Sequence, residues 1–178
     1  MRVMGIDPGS QFMGLGCVEQ QGSRFHCVGH ETVVVKGKDS TWVERIEVIF
    51  HAVTRAIELW RPEAVAVESV FLHKNADSAL KLGQARGAAI AALAVKKLPL
   101  FEYSPREVKQ AISSSGGADK QQVEKMVRLF LGTSLVAAGE IKRSDAADAL
   151  AVAICHAQRA GFAARSRGPL RISSAKEL

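Results

Sequence analysis

The sequence predicts an α/β domain on three observations. It has short apolar segments of strand length, longer stretches with helical periodicity, and a strand, helix, strand order that implies a parallel crossover. Met1 to Lys36 reads as three strands, broken near Asp7-Pro8-Gly9-Ser10 and at Gln20-Gln21-Gly22-Ser23-Arg24, where a hairpin is expected. Ser40 or Thr41 caps a helix through about Trp60, with Thr41 and Glu44 at capping-box spacing. Val43, Ile46, Ile49, Phe50, Val53 and Ile57 line its apolar face, and Pro62 ends it. Residues 64–68 form the next strand, Asn75 to about Lys96 a long helix, and Leu98 to Tyr103 a short strand.

Ser104-Pro105-Arg106-Glu107 starts a further helix, with a cap, a first-position proline and a capping-box glutamate, and Gly116-Gly117 stops it. Asp119 begins another helix to about Leu131, Gln122 being its capping-box partner, and residues 132–143 read as a loop. The last helix spans Ser144 to about Ala160. Residues 1–161 therefore form one domain, and 162–178, with Arg165, Arg167, Arg171 and Lys176, a basic flexible tail. Within the long helix, Ala79, Gly83, Gly87 and Ala91 recur at four-residue steps. A helical glycine costs about 1 kcal/mol against alanine, so this smooth stripe has a packing purpose: tight contact with its own sheet, or a helix-to-helix homodimer seam.

At 178 residues, 47% hydrophobic and 24% charged, the chain has the length and composition of one globular domain with a core of its own. Three scattered cysteines, Cys17, Cys27 and Cys155, offer no paired zinc spacing and read as reduced core thiols. No apolar run approaches a membrane span, and a cytoplasmic location is expected. The formal charge of +6 favours a polyanionic partner.

The chemistry rests on Asp7, Glu68, Asp145 and Asp148. Asp7 and Glu68 each follow a short apolar segment, so both project from strand ends, and Asp145 and Asp148 stand three apart on one face of the last helix. Singly, Asp7 could shape a turn, Glu68 cap a strand and Asp145 complement a helix N-terminus. Asp148 resists such an explanation, because a second acid on an alanine-rich apolar helix is expensive to bury without a cation or partner. Two carboxylates about 4 Å apart repel by about 4 kcal/mol at an effective dielectric near 20. Hard oxygen ligands without His or Cys suit Mg²⁺ or Mn²⁺, and two such ions serve phosphodiester hydrolysis. A nuclease is the expectation.

Gly5-Ile6-Asp7-Pro8-Gly9, Val67-Glu68-Ser69-Val70-Phe71, the run Asn75 to Gly87 (NADSALKLGQARG) and Asp145-Ala146-Ala147-Asp148-Ala149-Leu150 together resemble the RuvC Holliday junction resolvases. The resemblance implies an RNase H-like fold, a five-stranded mixed sheet flanked by helices, and a homodimer that nicks two strands of four-way junction DNA symmetrically in recombination and repair. It implies that Asp7, Glu68, Asp145 and Asp148 are the catalytic, metal-binding acids, with Asp7 bridging two Mg²⁺ ions, Glu68 holding one, and Mn²⁺ able to substitute. Phe71 would stack on junction bases, Lys109 and Lys120 would lie near the active site, and Lys74, Lys81, Arg86 and Arg106 are further candidates for phosphate contact. RuvA and RuvB, the branch-migration proteins, are the implied partners. Two alternatives remain: a junction-binding protein without catalysis, and an RNase H-fold nuclease acting on RNA.

Overall fold

The computed structural model describes residues 1–69, 75–113 and 115–166, the last five by backbone alone. Strands β1 (Arg2–Asp7), β2 (Phe12–Gln21) and β3 (Arg24–Val34) are followed by α1 (Trp42–Trp60), β4 (Ala64–Glu68), α2 (Ala76–Val95) and β5 (Leu100–Tyr103). Helices α3 (Pro105–Ser113), α4 (Lys120–Ala137) and α5 (Ser144–Ser166) complete the chain. The five strands form one mixed sheet in the order β3-β2-β1-β4-β5. β1, β2 and β3 pair antiparallel, whereas β4 lies parallel to both β1 and β5.

Strand alternation divides the core into two layers. Met4, Ile6, Val65 and Val67 point to the layer covered by α1 and α2, while Val3, Ala66 and Tyr103 point to the layer of α3, α4 and α5. The same period of two turns Asp7 and Glu68 toward the second layer. Because Ile6 pairs with Val67, the two acids end adjacent parallel strands.

Local signals explain most boundaries. Thr41 and Glu44 form a reciprocal capping box, as do Asp119 and Gln122. At α3 the Ser104 N–H and hydroxyl both donate to Glu107 Oε2 at 2.8 Å. Asn75 caps α2 by accepting from the Ser78 N–H at 3.2 Å.

Two boundaries differ from expectation. Residues 132–143 are not one loop: α4 continues to Ala137 across a break at Gly132 (φ 50°, ψ −134°). Leu131 and Leu135 stay buried on either side, and the Ser134 hydroxyl donates to Leu131 O while accepting from the Cys27 N–H at 3.0 Å. Side-chain anchoring thus carries the helix past a residue that sequence alone reads as a stop, and the loop shrinks to 138–143. The last helix passes Ala160 to Ser166 through an alanine-rich stretch of high helix propensity, so the expected start of the tail at 162 falls within α5.

The stripe on α2 resolves against packing on its own sheet. The helix buries Ala85, Ala88, Ala89, Ala92 and Leu93. Gly83, Gly87 and Ala91 lie on the exposed side with Leu80 and Val95, and a Cβ added at either glycine meets nothing within 4 Å.

The thiols behave as core residues. Burial pushes Cys17 up to about 12 and Cys27 and Cys155 up to about 11, so all three are protonated and inert at neutral pH.

Candidate active site

Helix α5 reaches the sheet at backbone contact, and glycine makes this possible. In the β1–β2 register Gly5 pairs with Gly16 and Asp7 with Gly14, which forms a trough without side chains. A Cβ on Gly5 would lie 1.9 Å from Ala149 O, and one on Gly14 would lie 1.8 Å from Asp145 O. The first turns of α5 therefore rest directly on the ends of β1 and β2, and this sets Asp145 and Asp148 beside Asp7.

All four acids gather at this edge. Burial first, then the charges of Asp148, Glu68 and Asp145, push Asp7 up to about 8, with Lys120 opposing. Burial and Asp148 likewise raise Glu68, with Lys109 and Lys120 opposing. Burial raises Asp148 against the pull of Lys120, whose ammonium stands 2.7 Å from Asp148 Oδ2. Partial burial lowers the pKa of Lys120, but its hydrogen bond to Asp148 and the charges of Asp148, Asp7 and Asp145 outweigh that and raise it overall. Asp145 accepts from Arg143 Nε at 3.1 Å.

As they lie, no set of three His, Cys, Asp or Glu side chains among the described residues closes around a single cation. The donor chemistry nevertheless fits a hard divalent ion. Every donor is a carboxylate, burial together with mutual repulsion displaces three pKa values upward, and a lysine ammonium already partners one member.

Beside the acids opens a cavity of about 230 Å³ whose walls include Glu68, Asp148, Lys109, Lys120 and Pro105. A cavity lined by both acids and lysines suits a phosphodiester, whose negative charge the lysines match. Lys109 and Lys120, which the resemblance sets near the active site, both line this cavity. Lys81 and Arg86 do not stand free: Lys81 pairs with Asp77 at 2.5 Å and Arg86 with Glu102 at 2.7 Å. Arg106 is exposed on α3. Phe71 and Lys74 lie outside the described residues.

The sequence reading missed Gly14 and Arg143. Gly14 and Gly16 share one face of β2, and that two-residue spacing opposite Gly5 was available as a signal of close approach. A single arginine in a loop carries no such pattern.

A mixed sheet in this order, with carboxylates at adjacent strand ends and on a helix laid across them, defines a hydrolytic nuclease of the RNase H-like class. Residues 3–156 match the family model described as crossover junction endodeoxyribonuclease RuvC. A protein of that name from Trichlorobacter lovleyi is 50% identical over 157 residues, covering 88% of this chain and 84% of the relative. One from Pseudoalteromonas translucida is 47% identical, covering 95% and 98%. Among solved structures, Thermus thermophilus RuvC in complex with Holliday junction substrate superimposes with a TM-score of 0.80 at 35% identity, over 91% of this chain and 96% of that one. The chain belongs to the RuvC family of crossover junction endodeoxyribonucleases. That family is in general divalent-metal dependent.

Proposed function

We propose that this chain resolves Holliday junctions as a homodimer, each protomer hydrolysing one phosphodiester with Asp7, Glu68, Asp145 and Asp148 as ligands of two Mg²⁺ ions, for which Mn²⁺ substitutes. One observation carries the reading: four carboxylates from three elements converge on one edge, where burial and their mutual repulsion raise the pKa of Asp7, Glu68 and Asp148 beside two lysines. When bound, Mg²⁺ supplies the charge that neutralises the phosphodiester and favours ionisation of the attacking water. Asp7, opposed by all three other acids, would be the ligand that the two ions share. Lys120 orients Asp148, while Lys109 and Lys120 bind the phosphodiester; Lys74 extends that basic contact and Phe71 stacks on an unpaired base. Junction cutting in Mg²⁺ with none in excess chelator is expected, and cutting in chelator would contradict the metal role.

Without a cation the cluster is a cost to folding, with a defined pH sign. The folded Asp7 titrates near 8, above its ordinary 3.8, so its contribution is fully present below the lower value and is lost as pH rises through about 8. The metal-free protein therefore melts at lower temperature at pH 9 than at pH 5 through this group. Asp7→Asn flattens the difference and raises Tm in chelator at alkaline pH. Thermal melts of both proteins measure this; a mutant that tracks wild type across the range would contradict the cluster's electrostatics.

The exposed Leu80, Gly83, Gly87, Ala91 and Val95 on one side of α2 support the homodimer, because a glycine seam admits a second helix closely. Gly87→Arg is expected to leave the fold intact and to shift the mass by light scattering from twice 19.1 kDa to one copy. Paired nicks would become single, slow ones. A dimeric Gly87→Arg protein would place the seam elsewhere.

Family membership supports RuvA and RuvB as partners at the junction. None of the helices described is long and apolar enough to cross a membrane.

A further inference from the structure

Arg143 is held in a way that a solvated loop arginine is not. Its Cζ lies 3.6 Å from the centroid of the Phe12 ring, a stacking distance, and its Nε donates to Asp145 Oδ2 at 3.1 Å. Phe12 opens β2, on the turn that leads away from Asp7, and Arg143 ends the loop that leads into α5. The two segments that carry the acids thus meet through this stack. The Arg143 side chain is nonetheless 47% exposed. Ring and carboxylate hold Nε and one face of the guanidinium, and the rest of this half-exposed side chain stands at the rim of the acid cluster.

We propose that Arg143, stacked on Phe12, is a phosphate-binding residue that grips the DNA backbone next to the phosphodiester cut by the acid cluster. A planar guanidinium suits two oxygens of one phosphate, and its orientation is fixed before DNA arrives, so little rotamer entropy is lost on binding. The carboxylate of Asp145 retains a second oxygen for a cation, so one side chain serves both the clamp and the acid cluster. Phe12 is the positioning residue: it touches no DNA and acts by presenting Arg143.

This inference rests on the resolvase reading and is tested so that the two fail separately. Binding of a fluorescently labelled four-way junction is measured in excess chelator across a series of NaCl concentrations, for wild type, Arg143→Ala, Arg143→Lys and Phe12→Leu, with thermal melts alongside. Arg143→Ala should weaken binding roughly tenfold and reduce the slope of log K against log [NaCl] by about 0.9. Arg143→Lys should keep the wild-type slope with severalfold weaker binding, because it retains the charge and loses the fork. Phe12→Leu should likewise keep the slope and weaken binding. Arg143→Ala with wild-type affinity and slope would overturn the proposal, including the case where only its Mg²⁺ requirement changes, which would confine Arg143 to balancing Asp145. Failure of wild type to bind the junction in chelator, or to cut it once Mg²⁺ is supplied, would instead overturn the resolvase reading beneath it.

Discussion

Asp7→Asn is expected to lower junction cleavage by at least about a thousandfold while leaving junction affinity within a few-fold of wild type. The side chain keeps its shape and loses the charge opposed by Asp148, Glu68 and Asp145 together. An amide oxygen still reaches a cation but cannot neutralise it, so metal-dependent hydrolysis fails. Affinity should survive because it depends on basic residues, and one fewer acid at the site reduces repulsion of the phosphates. Single-turnover cleavage and anisotropy on the same labelled junction separate the two effects. Cleavage near the wild-type rate would remove Asp7 from the chemistry.

Gly14→Ala is expected to be nearly as damaging, although Gly14 performs no chemistry. Its added Cβ would stand 1.8 Å from Asp145 O and 2.4 Å from the Asp145 carbonyl carbon. These are backbone atoms in the first turn of α5, so no side-chain rotation relieves the clash. The helix must retreat by roughly 1.5 Å to reach ordinary contact, and Asp145 and Asp148 retreat with it. Overpacking of this kind costs about 3 kcal/mol of stability. Misplacing catalytic groups by about 1 Å costs roughly a hundredfold in rate. Urea melts and cleavage rates measure both; a Gly14→Ala protein with wild-type rate and stability would contradict the backbone contact between α5 and the sheet.

The two predictions show why part of this site was legible in the sequence. Asp7 and Glu68 announce themselves because each terminates an apolar run whose period of two fixes the face it points to. Asp145 and Asp148 do so because two charges interrupt an alanine-rich apolar helix. The glycine trough is a property of pairing: Gly5 and Gly16 face each other only once β1 and β2 are in register. The Arg143–Phe12 stack joins residues more than a hundred positions apart, and no local period encodes it.

The same distinction explains the boundaries. Caps at Thr41, Ser104 and Asp119 are local hydrogen-bond patterns and were readable. The continuation of α4 beyond Gly132 depends on a bond between Ser134 and Cys27 on β3, a tertiary contact that overrides the local preference of glycine. The α2 stripe was visible as small residues, but only the fold shows that Gly83 and Gly87 face away from the sheet.

The most direct test of the central claim, a metal-dependent dimeric resolvase built on these four acids, is to map the nicks that wild type makes in a synthetic four-way junction labelled on each strand in turn. Linear duplex of the same sequence and excess chelator serve as controls. Paired nicks at symmetric positions in opposing strands are expected with Mg²⁺, and none in the duplex or in chelator. A junction that is bound but left uncut with every divalent metal tried would contradict it.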